Sequence, residues 1–365
     1  MVARLGGDEF AVLQPRIADR GQAESLAYRI LGILAEPFVI NGHEATISTS
    51  IGIAVAPEDG LEAERLLSSA DLALYHSKAD GRSRVGFFTS DMDAGLQERL
   101  RLERCIREAL RDDGFQLHFQ PLVDMAQANV VGFEALLRLK DADGQPIPPM
   151  TFIPIAEEMG LIAKIGTWVI HQACHTAAQW PPHLSIAVNL SAAQFEAAGV
   201  TEIVSAALAD ARLPPHRLQL EITESLLLRD ADAIMLELRR IKALGVAIVM
   251  DDFGTGYSSL SYLWRFPFDK IKIDRAFLQS LGAENRAAEM IVRTMVGLGH
   301  SLQMRVTIEG VENADQVAFV RDIGCDEAQG YYFGRPMPAN DLPARMLMDV
   351  QQAPPITVGQ LQSIK

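Results

Sequence analysis

The chain has 365 residues, enough for two domains or for one large barrel beside a smaller unit. Its formal charge of −14, with 48% apolar and 22% charged residues, excludes non-specific binding to duplex nucleic acid, which needs a basic face. No apolar run reaches the roughly 18–20 residues that span a bilayer, and no basic stretch leads into an apolar one as in a secretory signal. Cys105, Cys174 and Cys325 stand outside any CxxC spacing. A cytoplasmic setting with free thiols is therefore expected, although a longer parent protein could carry a membrane anchor.

Residues 1–90 read as a mixed α/β unit. In MVARLGGDEFAVL the apolar-rich runs flank Gly6 and Gly7, which supply the positive φ angles of a tight hairpin, with Asp8 and Glu9 at its tip. Leu26, Ile30, Ile33 and Leu34 are spaced as one apolar face of a helix ending near Pro37. Asn41-Gly42 predicts a second hairpin, and a helix through EAERLLSSADLALYHSKADG stops at Gly81. Four short strands and two helices are a thin set for a self-sufficient core. Residues 91–113, with the Leu-spaced run LQERLRLERCIREALRDD, read as a charged connecting helix.

From residue 114 the rhythm changes to strand, loop, helix. FQLHFQPLV, VVGFEALLRL, HLSIAVNLS, RLQLEITES, VAIVMDDFG, DKIKIDRAF, MRVTIEGVE and CDEAQGYYFGRP read as strands. Helical segments such as AKIGTWVIHQACHTAAQW, ADAIMLELRRIKALG and AAEMIVRTMVGLGHSL lie between them. This alternation fits a (β/α)8 TIM-like barrel; an open doubly wound sheet alternates in the same way and remains the alternative.

A barrel places its reactive groups at the C-terminal ends of its strands. The residues found there are Glu134, Asn189, Glu221, Glu224, Asp251, Asp252, Lys272, Glu309, Glu312 and Gln329. Any one such acid is ordinarily a helix cap or a surface charge, and Asn189 before Leu190-Ser191 could cap a helix. Together they form an array of oxygen donors without Cys or His, the ligand set of Mg²⁺ or Mn²⁺ rather than Zn²⁺. Adjacent acids at Asp251-Asp252 suit a pair of cations sharing a carboxylate, an arrangement that hydrolyses phosphodiesters. Lys272 could position or deprotonate the attacking water or neutralise charge in the transition state. Gly254 and Gly256 make the loop after the paired acids flexible. His171 and His175 are spaced as ligands on a helix but lack a third partner, and no GxSxG context supports a nucleophilic serine.

These motifs resemble the GGDEF–EAL proteins of bacterial cyclic di-GMP signalling. Over residues 97–345, EALLR, FIPIAEEMGLI, NLSAAQF, LEITES, DDFGTGYSSL, KIDR, EGVE and QGYYFGRPMP follow in the order of an EAL phosphodiesterase domain. The resemblance implies hydrolysis of cyclic di-GMP to linear pGpG with two divalent cations, Mg²⁺ or Mn²⁺, and inhibition by Ca²⁺. It implies Glu134, Asn189, Glu221 and Asp251 around the first cation. Asp251 then bridges to the second, which Asp252 and Glu309 complete. Lys272 meets the catalytic water, Glu224 steadies the DDFGTGYSSL loop, and Gln329 assists at the site. Arg138 matches the position that grips a substrate phosphate, a task suited to a guanidinium, and Gln120 the position facing the guanine. It further implies a homodimer through this domain; the charge and the apolar runs, as above, lead to no expectation of duplex nucleic acid or of a membrane segment in this chain.

Residues 1–90 resemble the later part of a GGDEF diguanylate cyclase domain, with its signature at Gly6, Gly7, Asp8, Glu9 and Phe10. The family's first strand with a metal-binding Asp, its guanine-recognising helix and its upstream inhibitory site are not found, and Ser83 stands where Asn is common. An active cyclase is therefore not expected. The leading expectation is a cyclic di-GMP phosphodiesterase; the alternative is a receptor that binds the dinucleotide without turnover. Residues 346–365 form a tail without a readable role.

Overall fold

The computed structural model describes residues 1–348 except 41–42, 80, 82, 197–198, 225, 227–230, 255–262, 264, 267 and 281–285. The chain divides into two compact units, Met1–Arg104 and Cys105–Lys365.

Among its described residues the first unit contains three two-stranded ribbons, two helices and the first part of a third, so six strands are formed where the sequence predicts four. β1 (Val2–Gly6) pairs antiparallel with β2 (Glu9–Val12). Of the two glycines expected at the turn, only Gly7 has a positive φ (50°), while Gly6 remains in β1 opposite Glu9. The Arg4 guanidinium donates to the Gly7 carbonyl at 2.6 and 3.0 Å, which holds the turn. Asp8 lies in the turn and Glu9 opens β2, both exposed.

α1 (Arg20–Ala35) starts on Asp19, whose carboxylate accepts from the Gln22 amide, and ends before Pro37. Leu26, Ile30 and Leu34 are half-buried as the spacing predicts, but Ile33 is 57% exposed and only Ala27 is fully buried. The face is incompletely covered because the strands beside it, β5 (Ile51–Ile53) and β6 (Val85–Phe87), are three residues long. β3 (Phe38–Ile40) and β4 (His43–Ala45) pair antiparallel; their expected turn, Asn41-Gly42, lies outside the described residues. β5 and β6 pair in parallel, connected through α2 (Ala63–Ala79). Gly52 lets α2 lie close, since an added Cβ would overlap the Ala70 carbonyl. The small core is Leu72, Ala73 and Phe88, with Ala54, Met92 and Leu96 against it. α3 (Ser90–Arg111) follows β6, and the division between the units falls within it.

The second unit is a closed eight-stranded barrel. Its wall runs, in spatial order, through β7 (Gln116–Asp124), β8 (Asn129–Lys140), β10 (Ser185–Leu190), β11 (Leu218–Thr223), β12 (Ala247–Phe253), β13 (Lys270–Ile273), β14 (Arg305–Ile308) and β15 (Glu327–Ala328), then back to β7. β8 through β15 pair in parallel, whereas β7 is antiparallel to both neighbours. The strand–helix alternation read from the sequence therefore begins only after β8. β7 and β8 are joined by a turn in which the Asp124 carboxylate accepts from the Ala126 and Gln127 amides, and such a connection reverses the chain. Short strands β9 (Pro146–Ile147) and β16 (Met337–Pro338) extend the sheet on β8 and β7.

Helices cover the outer wall: α4 (Pro149–Glu158), α5 (Ile162–Ala178), α6 (Ala192–Glu196), α7 (Val200–Ala211), α8 (Ala231–Ala243), α9 (Arg275–Gln279), α10 (Arg286–Ser301) and α11 (Ala314–Asp322). In α5, buried Ile162, Ile165, Val169, Ile170, Ala173 and Ala177 recur at helical spacing. Phe119 and Phe133, on neighbouring strands, pack on Trp180 with centroids 5.3 and 4.9 Å away. Strand alternation then sends Glu134 to the barrel interior. No described helix is long and apolar enough to cross a membrane.

Candidate active site

The interior carries polar residues in two tiers, because side chains at i and i+2 of a strand share a face. The lower tier holds Gln219, Lys270, Thr307 and Glu327; two residues further along the chain, the upper tier holds Glu221 and Lys272 on their strands and Glu309 and Gln329 just past the ends of theirs. In the parallel register Lys272 stands opposite Thr307 and Thr307 opposite Glu327, so the tiers run obliquely to the register and are joined by side-chain contacts.

Lys272 is the centre of the upper tier and is 1% exposed. Its ammonium lies 2.6 Å from Glu309, 2.9 Å from Glu221, 3.3 Å from Glu134 and 3.5 Å from Asp251. Glu134 is held by two further bonds: Asn189 donates to its Oε1 at 2.7 Å and Gln329 to its Oε2 at 2.6 Å, the oxygen that Lys272 also reaches. Gln329 also donates to Gln120 Oε1 at 3.0 Å, and Gln120 donates to the Gly334 carbonyl. Gln120 stands opposite Glu134 in the β7–β8 register, so the reversed strand supplies an amide to this cluster.

Asp251 and Asp252 are consecutive, and a regular strand would point them to opposite faces. Here the β12–β13 register shifts between Met250 and Phe253, and Asp252 adopts φ 54°. Such a bulge re-aims a side chain, and Asp252 feels the charges of Asp251, Lys272 and Glu134. The Asp252 amide donates to Asp251 Oδ1 at 3.0 Å.

Burial pushes the Glu221 carboxyl well above its ordinary range, and burial raises Asp251 against the pull of Lys272. Asp252 is raised by burial and by Asp251, and burial lifts Glu309 to about 7. Glu134 is the exception: although burial opposes ionisation, Lys272, Gln329 and Asn189 hold it below its usual value. Lys272 is held well above its ordinary value, since the surrounding Asp251, Glu134, Glu221 and Glu309 outweigh the burial that lowers it. The acids thus outnumber the positive charge available to them.

Of the expected site residues, Glu134, Asn189, Glu221, Asp251, Asp252, Lys272, Glu309, Gln329 and Gln120 come together. Arg138 lies on the same face of β8 as Glu134, half-buried near the strand's C-terminal end, with Nη1 donating to the Leu137 carbonyl. Burial lowers its guanidinium from the ordinary value. Glu224 is buried past β11, but residues 255–262 of the loop it is expected to steady lie outside the described residues. Glu312 is exposed, its amide donating to Gln316 near α11, because the chain leaves the wall after Ile308. His171 faces Asp210 at 3.6 Å, away from this cluster.

Among the described residues no three acids or histidines meet at a common cation-binding point; the carboxylates converge on the Lys272 ammonium. The donor chemistry nonetheless fits hard divalent cations. It consists of carboxylate and amide oxygens, with an excess of acids, and the buried Gln329 Oε1 has no hydrogen-bond partner.

The lower tier is not among the expected site residues. Lys270 is paired with Glu327 and donates to Gln219 at 2.9 Å; Thr307 donates to Glu327 at 3.0 Å and Arg305 lies 3.1 Å from its other oxygen. Polar residues repeating at i, i+2 in otherwise apolar strands are the signal that reveals it.

Residues 103–336 match the sequence model of the EAL domain, and residues 1–84 match that of the diguanylate cyclase GGDEF domain. The chain belongs to the EAL domain family and carries a GGDEF-type region before its barrel. An uncharacterized signaling protein of Caulobacter vibrioides is 47% identical over 341 residues, covering 93% of this chain and 42% of that protein. The bifunctional diguanylate cyclase/cyclic di-GMP phosphodiesterase MucR of Pseudomonas aeruginosa is 44% identical over 345 residues, covering 93% and 50% respectively. The solved structure of the PaMucR phosphodiesterase in complex with c-di-GMP superposes with a TM-score of 0.64 at 43% identity, covering 66% of this chain and 99% of that one. The chain spans about half the length of the curated relatives it matches.

Proposed function

We propose that the barrel unit is a cyclic di-GMP phosphodiesterase that uses two divalent cations, Mg²⁺ or Mn²⁺, to give linear pGpG. The observation that carries this reading is the ring of Glu134, Glu221, Asp251 and Glu309 around buried Lys272 at the C-terminal ends of the barrel strands. Similarity to named cyclic di-GMP phosphodiesterases supports it.

In this reading Glu134, Asn189, Glu221 and Asp251 would hold one cation, and Asp251, Asp252 and Glu309 would hold the other. When bound, the cations would lower the pKa of a water and stabilise the oxygen that leaves phosphorus. Lys272 orients that water or balances charge as phosphorus is attacked. The amides of Asn189 and Gln329 fix the Glu134 carboxylate from both sides, so its oxygens need not reorganise during reaction. Arg138 offers a planar fork to a phosphate oxygen. The water adds to phosphorus while the P–O3′ bond breaks, leaving the phosphate on the 5′ side. A homodimer through the barrel belongs to the same reading and is tested by sedimentation. No GTP-dependent synthesis is assigned to the first unit, whose exposed Asp8 and Glu9 sit on a ribbon paired with no other strand among the described residues.

The test is incubation of the purified chain with cyclic di-GMP and Mn²⁺ or Mg²⁺. pGpG is expected, falling at least 1000-fold in Glu134→Ala. Tight binding in Ca²⁺ with no product in Mg²⁺ or Mn²⁺ would establish a receptor instead.

A further inference from the structure

The two buried lysines of β13 have different surroundings. Lys270 meets Glu327, whose oxygens are also bonded by Thr307 and Arg305, so every strong acceptor around it has its own donor. Lys272, two residues on, is the only cationic side chain within 4 Å of Glu134, Glu221, Asp251 or Glu309 among the described residues. Its shortest contacts, to Glu309 and Glu221, take up one oxygen of each of two carboxylates assigned to the cations.

We propose that Lys272 is an internal counter-ion that holds these carboxylates together and competes with divalent cations for them. The proposal rests on the two-cation reading and adds a role for Lys272 apart from the attacking water. Like-charged carboxylates within a few ångströms repel strongly in a poorly polarisable interior, so without a cation they need the ammonium to stay assembled. A dication entering the ring supplies twice the charge and repels the ammonium, which must give up contacts with Glu221 and Glu309. The affinity measured from solution is then the intrinsic affinity reduced by the free energy of breaking those contacts. The buried Gln329 Oε1, an acceptor without a donor inside the same ring, shows that the ammonium does not satisfy every acceptor there.

The experiment is calorimetric titration of the chelator-treated full chain with Mn²⁺, for the wild type, Lys272→Met and Lys272→Gln, with melting temperatures measured with and without the cation. The expected result is at least tenfold tighter Mn²⁺ binding in both variants, a lower melting temperature without cation, and a larger rise on adding it. Equal or weaker binding in the variants overturns the proposal and leaves the two-cation reading standing. No binding by the wild type removes the cation site and the proposal with it. Should the variants not fold, ¹⁵N-lysine NMR of the wild type decides. A slowly exchanging, hydrogen-bonded ammonium resonance in the cation-free protein, displaced by Mg²⁺, is expected; a resonance indifferent to Mg²⁺ refutes the competition.

Discussion

Replacing Lys270 by methionine isolates the lower tier from the chemistry above it. The lysine side chain is 7% exposed and that of Glu327 is 2%, so the substitution keeps the apolar stem but leaves a buried carboxylate short of its closest cation. Removing one member of a buried ion pair costs about 3–5 kcal/mol. Thr307 and Arg305 remain on Glu327, and Gln219 loses a donor, which places the expected loss near the lower end, about 3 kcal/mol. For a unit of this size that is a fall in melting temperature of roughly 6–12 °C. Urea denaturation followed by far-ultraviolet circular dichroism measures it. The double variant Lys270→Met/Glu327→Met should recover at least half of the loss, because it leaves no charge unpaired. A single-variant cost below about 1 kcal/mol, or a double variant as unstable as the sum of the singles, would refute the account of a tightly coupled base.

Three further outcomes follow from the geometry. Arg217→Met removes donors from the buried carbonyls of Leu184 and Ala177, at 2.8 and 2.7 Å, and should destabilise the barrel by about 2 kcal/mol or more in the same urea assay. Gly330→Ala drives a Cβ into the backbone of Val311 beside Gln329, so about 2–3 kcal/mol of stability and most hydrolysis should be lost together, as melting and pGpG release will report. Glu309 titrates at about 7 in the folded chain, above its unfolded value, so stability present at low pH is lost as pH rises from roughly 4.5 to 7. Without cations, Glu309→Gln should therefore stabilise the protein by about 1–3 kcal/mol at pH 8 and by almost nothing at pH 5. Equal effects at both pH values would contradict that sign.

Much of the barrel was readable because alternating strand and helix periods are local. The acids were readable because strand ends are local too. The reversed β7 was not, since an apolar strand reads alike in either direction; the Asp124 turn that sets its direction needed only one helix fewer than assumed. Asp252 was found by residue type, but its turn into the site depends on the bulge and positive φ, which pairing with β13 determines. Residue type does not separate Glu309 from Glu312; Glu309 directly follows the last wall residue, Ile308, whereas Glu312 lies beyond Gly310 and is exposed. Lys270 and Glu327 lie 57 residues apart, and only barrel register brings them together. Ile33 followed the helical period yet stayed exposed, because periodicity describes a face and not the area of what covers it.

The two tiers differ in charge balance, and on the proposed reading that difference sets the chemistry at one end of this barrel. At the base, Lys270 and Arg305 face Glu327 and Asp124, so charge is balanced and each carboxylate has a fixed donor. Above it, Lys272 is the only cation among the described residues that faces Glu134, Glu221, Asp251 and Glu309, with Asp252 alongside. Extra positive charge can be accepted only where it is lacking, and the balanced tier beneath keeps the strands in register while it is. A cation at the base would have to break several satisfied bonds, whereas one in the upper ring relieves repulsion between acids already assembled. On the proposed reading, the same asymmetry would bring an anionic phosphodiester to the mouth only with cations bound, which would offset the excess negative charge beside Arg138.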